Sequence, residues 1–286
     1  MSAGAPPDLS PLARERLAYR RSRARRSTLV ALVSTVVFAA AVVVGVTSTP
    51  GWPRVQATFL DPAIAWSSLP AILRGLWLNI RVLVVTEIGV LALGLLIAVL
   101  RTLRGPVFFP LRALATGYVD LFRGVPLLIA LYLIGFGVPA LRLQGVPTST
   151  AVLGTITLVL VYSAYVAEVF RAGIESIHPS QRAAARSLGL SHRQSMRLVI
   201  LPQAVRRVLP PLLNDFVALQ KDVGLISVLG AFDAVREAQV AADAAFNFTP
   251  YLVAGLLFVL LAIPTIRLAD WVTLRAVRRQ QASGAL

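Results

Sequence analysis

An all-α polytopic membrane protein is the fold class predicted for this 286-residue chain, and three observations predict it. Hydrophobic residues make up 57% of the sequence and mean hydropathy is +0.74. Apolar runs of membrane-spanning length recur from one end to the other. Arginines gather in every second connection between those runs, as they do in loops facing the cytoplasm. The formal charge of +15 does not point to nucleic acid, because the arginines lie between apolar spans and not on one polar face; membrane lipid is the polyanion they meet. The absence of cysteine excludes disulfides, thiolate metal sites and cysteine nucleophiles. His178 and His192, the only histidines, argue equally against a histidine metal cluster.

The first span runs from Leu29 to Val46, behind a basic tail (1–28) holding Arg14, Arg16, Arg20, Arg21, Arg23, Arg25 and Arg26. A basic segment before an apolar run also describes a secretory signal cleaved after Val-Gly-Val-Thr-Ser; the long basic region and a run of about eighteen residues favour a retained helix (29–47). Residues 48–70, punctuated by proline and glycine, read as an outer loop with a surface-lying piece. The remaining spans are Leu78 to Leu100, a Gly/Pro-interrupted stretch from Leu111 to Gly137, Ala151 to Phe170, Val208 to Leu229, and Tyr251 to Trp271. Arg101, Arg104 and Arg112 surround the second-to-third connection, and Arg267, Arg275, Arg278 and Arg279 lead into the tail 273–286. The alternate loops hold only Arg54 and Arg74, then Arg142, then Arg236. Both termini are therefore expected in the cytoplasm, with Trp52, Trp66 and Trp77 near the outer surface.

The loop over 175–205 carries Arg182, Arg186, Arg193 and Arg197 and is itself patterned as two short helices. Pro179 and Ser180 start the first, which places Ala184 and Leu188 on one face, and Gly189 stands where a C-terminal glycine ends a helix. Ser191 caps a second helix that Pro202 is expected to stop. Such an elbow either inserts into a cytoplasmic partner or lies on anionic lipid.

Gln-x-x-Ala-Ala-x-Ser-Leu-Gly-Leu-Ser followed by Ile-Leu-Pro-Gln-Ala resembles the cytoplasmic signature loop of binding-protein-dependent ATP-binding-cassette (ABC) importers, in the form of polar amino acid permeases. Asn79 in Trp-Leu-Asn-Ile, Phe-Arg-Gly-Val-Pro-Leu-Leu at 122–128, Leu-Gln-Lys-Asp-Val-Gly-Leu-Ile-Ser at 219–227 and Ile-Pro-Thr-Ile-Arg at 263–267 are similar to further segments of that family, in the same order. The resemblance covers residues 71–272. It implies a five-helix permease core behind one extra N-terminal transmembrane helix, in the cell membrane. It also implies a second permease chain, identical or related, two ABC ATPase subunits below and an extracytoplasmic solute-binding protein that delivers an amino acid. Coupling to the ATPase falls, on this resemblance, to Ala184, Ala185, Leu188, Gly189 and Pro202. Ala183 stands where the family carries Glu, Ser180 where it carries glycine, and Val125 and Val223 where threonines are common.

No phosphate-binding Gly-x-x-x-x-Gly-Lys-Ser/Thr occurs, and the single lysine, Lys221, lies between Gln220 and Asp222. ATP is therefore expected to be used by a separate chain, with no cofactor bound by this one. Charged groups inside the spans point to a substrate path, because each costs about 2.5–3.5 kcal/mol to insert. Glu87, Arg123, Glu168 and Asp222 are the pathway candidates. Glu168 has Arg171 one turn on, and Asp215, Lys221 and Asp222 are spaced for an internal ion-pair network. Asp120 and Arg123 flank a Gly-Val-Pro break where unwound backbone can face a cavity. Glu87 has no partner nearby in sequence. An ion-coupled secondary transporter, relaying protons through buried carboxylates, and a non-transporting membrane scaffold are the alternative readings.

Overall fold

The computed structural model describes residues 11–103 and 105–283, and every regular element among them is helical. Residues 1–10 of the expected basic tail and 284–286 of the expected C-terminal tail lie outside the described residues. Two compact units divide between Thr58 and Phe59. In the first, α1 (Pro11–Thr47) carries the basic segment and the first apolar run on one continuous helix; its part from Arg26 to Thr47 is apolar enough to span and buries no side chain. Helix α2 (Trp52–Phe59) follows a short turn.

Helix α3 (Pro62–Thr102) takes up much of the connection expected over 48–70. It starts there because Asp61 accepts hydrogen bonds from the amides of Ala63 (2.9 Å) and Ile64 (3.2 Å), and Pro62 at the first helical position needs no amide partner. Asn79, expected to open the span, therefore sits mid-helix. Periodicity does not reveal the inner face of α3, since Val84, Val85 and Ile88 are as apolar as buried Val82, Leu83 and Val90; lipid accepts both. Small and polar residues reveal it: Ser68, Gly75, Asn79, Thr86 and Gly94 are all buried. A Cβ at Gly75 would lie 2.4 Å from the backbone carbon of Asp233, so only glycine fits that approach.

The third expected span is two helices, α4 (Phe109–Gly124) and α5 (Leu127–Gly135), bent by 106° and followed by one turn, α6 (Gly137–Ala140). Helix α7 (Thr150–Glu175) packs along α3 and against α4 and α5. Helices α8 (Pro179–Ser187) and α9 (His192–Ser195) form the elbow, and a π turn at Met196–Ile200 feeds α10 (Leu201–Asp222), which tightens into a 3₁₀ segment at Val223–Leu229. Pro202 corrects the expectation that it stops a helix: it occupies the first turn of α10, where a missing amide hydrogen costs nothing. Helix α11 (Ala234–Ala245) was not anticipated, and α12 (Thr249–Ser283) closes the chain.

Among the described residues four helices are long and apolar enough to cross a membrane, and the bent α4–α5 pair taken as one span makes five. The expected span 208–229 is not among these five: the stretch is the second half of α10 plus the 3₁₀ segment, and Asp215, Lys221 and Asp222 leave it more polar than the others. The main core joins Val82, Leu83 and Val90 of α3 to Leu158, Tyr162 and Val166 of α7, with Leu219 and Ile226. Asn79 ties three elements together: its amide donates to the carbonyl of Val223 (3.2 Å) and to Asp233 (2.9 Å), and its oxygen accepts from the amide of Ala234 (3.0 Å). Burial pushes the Asp233 carboxyl up to about 6, against the opposing pull of the Asn79 amide and the backbone amide of Arg236.

Candidate functional site

Helix α4 ends at Gly124 because Val125 precedes a proline and is held extended. Pro126 begins the next helix, and the carbonyl of Pro126 accepts from the amides of Ile129 (3.0 Å) and Ala130 (3.1 Å). The amides of Leu127 and Leu128 precede the first bonds of α5, as leading amides do. This break borders a cavity of about 410 Å³ whose far walls are α7 and α10. Its polar lining is Arg123, Tyr162, Tyr165, Asp215 and Asp222.

The sequence candidates separate here. Asp222 accepts a hydrogen bond from the Tyr162 hydroxyl at 2.7 Å. Asp215 lines the same cavity with its Oδ2 buried and without a hydrogen-bond partner among the described residues. Arg123, about half exposed, lies 5.8 Å from the centre of the Tyr165 ring and 3.9 Å from Glu168. Glu168 is already occupied: Arg101 of α3 donates to one oxygen, and Arg171, one turn along α7, donates to the other at 2.7 Å. The expected Glu168–Arg171 pair is present, but Arg101, 67 positions away in sequence, joins it. Glu87 does not line the cavity. It is half-buried on α3 without a hydrogen bond or ion pair among the described residues, and its charge interacts with that of Asp215.

The expected network of Asp215, Lys221 and Asp222 does not form. Lys221 is exposed on the other side of α10 and pairs with neither aspartate among the described residues, because adjacent residues on a helix point about 100° apart. Nor do Asp120 and Arg123 pair; Asp120 is exposed. Tyr162 and Tyr165 were missed in the sequence, although their i, i+3 spacing puts both on one face of α7 with a ring separation of 6.3 Å.

The elbow is built from local signals. The His178 ring accepts from the amide of Ser180 (3.2 Å) at the start of α8. At its end the amide of Leu190 reaches the carbonyl of Ala185 (3.2 Å) and that of Gly189 reaches Arg186 (2.9 Å), a Schellman pair that needs the positive φ of 77° at Gly189. Ser191 and Gln194 then form a reciprocal capping box, side chain to amide in both directions (2.9 and 3.3 Å). Ala185 is buried, whereas Ala184 and Gly189 are exposed and Leu188 is 81% exposed at the tip. Underneath, Ile177, Ile200 and Ala204 form a small apolar base, and Arg207 of α10 donates to the carbonyl of Ser176 at the end of α7.

Residues 91–278 match the family described as binding-protein-dependent transport system inner membrane component. The chain is 34% identical over 208 residues to the probable glutamine ABC transporter permease protein GlnM of Bacillus subtilis (strain 168), which covers 72% of this chain and 93% of that protein. It is 32% identical to the arginine transport system permease protein ArtQ of the same organism over 71% of this chain and 91% of ArtQ. Among solved structures, a crystal structure of an amino acid ABC transporter with histidines aligns with a TM-score of 0.69 and 30% identity, over 76% of this chain and 99% of that one. The inward-facing methionine transporter MetNI shares the fold alone, at a TM-score of 0.56 and 20% identity. With the elbow, the broken span and the five-helix core in place, the chain belongs to the inner membrane components of binding-protein-dependent ABC transport systems.

Proposed function

We propose that this chain is the permease subunit of an amino acid importer, that the 410 Å³ cavity lies on its translocation pathway, and that separate ABC ATPase subunits drive it through the elbow. One observation carries the mechanical part. The same helix, α10, begins at the base of the elbow and ends with the two cavity carboxylates, Asp215 and Asp222. Its 22 residues span about 33 Å, so displacement of Leu188 and Gly189 by a partner is delivered as movement of one wall of the cavity. The amino acid assignment is supported by relatives whose names refer to glutamine and arginine and by a lining with charges of both signs, as a ligand with a carboxylate and an ammonium requires.

The remaining partners follow from the family: a second permease chain and a solute-binding protein on the outer side, with ATP used by the ATPase chains. Both termini lie in the cytoplasm in this reading, on the same side as the elbow. Affinity purification of the chain in mild detergent, followed by reconstitution, tests the proposal. ATPase subunits copurify in fixed stoichiometry, and amino acid uptake requires ATP on the cytoplasmic side, the side of the elbow, which receives the amino acid. Uptake that follows a proton gradient and persists without ATP would overturn it.

A further inference from the structure

The cavity is out of balance for a zwitterion. Asp215 and Asp222 face it against one cation, Arg123, and Glu87 adds a third carboxylate within electrostatic reach of Asp215. Arg123 is the surplus guanidinium at Glu168, which Arg101 and Arg171 already hold by hydrogen bonds while Arg123 remains 3.9 Å away. It is therefore free to turn toward a ligand carboxylate, beside the leading amides of α5 at Leu127 and Leu128. At the opposite wall Asp222 is oriented by Tyr162, and the buried oxygen of Asp215 has no hydrogen-bond partner among the described residues.

A ligand with one ammonium and one carboxylate would satisfy Arg123 and one aspartate and leave the other charged and unpaired, which a low-dielectric site penalises. A ligand with an acidic side chain would make this worse. A second cation on the ligand removes the deficit, and a volume of 410 Å³ falls in the ordinary range of about 300–1,000 Å³ for a small-molecule site. We propose that the cavity selects an L-amino acid with a cationic side chain, its carboxylate at Arg123, its ammonium at Asp222 and its side-chain cation at Asp215. This rests on the amino acid reading above and narrows it.

The test uses the purified permease–ATPase complex without the solute-binding protein, so that the receptor's own selectivity does not intervene. Binding of radiolabelled L-lysine is measured in competition with L-lysine, L-glutamine and L-glutamate. Lysine is expected to bind at least about tenfold more tightly than glutamine, and glutamate not to compete. Asp215→Asn should erase the advantage of lysine while glutamine binds at least as tightly as before, since the unpaired charge is gone; Asp120→Asn, an exposed carboxylate outside the cavity, should alter neither. Glutamine binding as tightly as lysine in the native complex overturns the proposal. So does a D215N complex that elutes intact yet keeps the native lysine-to-glutamine ratio or loses both ligands together. If none of the three amino acids binds, the amino acid reading itself falls, and this proposal with it.

Discussion

Around Gly189 every cap and turn joins residues within five positions of one another, whereas at the cavity Tyr162 reaches 60 positions to Asp222 and Arg101 reaches 67 to Glu168. The caps and turns of the elbow close on themselves, so its local shape is set within α8 and α9. The cavity exists only while α4, α7 and α10 are in one register. Under the proposed function, a locally capped tip on a short apolar base, joined by one helix to a wall that depends on register, is an arrangement by which a push at the tip would become a change of access. Damage at the two ends should therefore separate: elbow lesions should spare ligand binding, and cavity lesions should spare the elbow.

The largest effect is expected from Gly189→Asp. With φ at 77° and no atom within 4 Å of an added Cβ, the obstacle is the backbone conformation and the new charge at an exposed tip, not crowding. Uptake should fall to background while insertion, melting temperature and ligand binding by the permease hold. Uptake at the native rate would remove the elbow from coupling.

Glu168→Gln comes next. One carboxylate, 18% exposed in its side chain, faces three guanidiniums, so its loss should lower stability by about 2–3 kcal/mol, read as a drop in melting temperature. Maximal uptake should fall about tenfold while apparent ligand affinity is unchanged, because Glu168 acts on α3, α4 and α7 and not on the ligand. A large loss of affinity at unaltered stability would instead place Glu168 in the ligand site.

Leu188→Ala acts at the tip alone. Truncating an apolar side chain that is 81% exposed should leave the folded chain as stable as before and weaken association with ATPase subunits by about 1–2 kcal/mol, the range of a moderate interface residue. Association measured by analytical size exclusion or light scattering decides this, and unchanged association would show that the tip touches no partner.

The contrast also explains what the sequence disclosed. The elbow was legible almost to the residue, because Gly189 and Ser191 carry their instructions within a few positions. The break at Val125-Pro126 was legible for the same reason. Pro202 misled, since proline ends a helix or opens one according to what precedes it, and the π turn that feeds α10 has no sequence signature. At the cavity the charged residues were visible as improbable in lipid, but their partners were not: Lys221, adjacent to Asp222, points away, while Arg101 arrives from another helix. Buried face and lipid face of α3 are both apolar, so only its small and polar residues, read at roughly heptad spacing, betray which side is inside.

The smallest effect is expected from Tyr162→Phe, and it sharpens the comparison most. Removing the hydroxyl deletes the 2.7 Å hydrogen bond to Asp222 without opening space, since the ring remains packed in the main core. A hydrogen bond to a charged acceptor contributes about 1.5–3 kcal/mol when dry, but Asp222 borders a cavity that admits water, so the expected loss of stability is about 1 kcal/mol or less. What changes is orientation: Asp222 becomes free to rotate, and apparent ligand affinity should weaken about threefold at unchanged maximal uptake. Tyr165→Phe is the matched control. It keeps the ring beneath Arg123 and removes a hydroxyl that donates to no aspartate among the described residues, so affinity should hold. Equal losses in both variants would mean that the tyrosines serve as general polar lining. A loss confined to Tyr162→Phe would show that α7 sets the geometry of the carboxylate that α10 brings to the cavity.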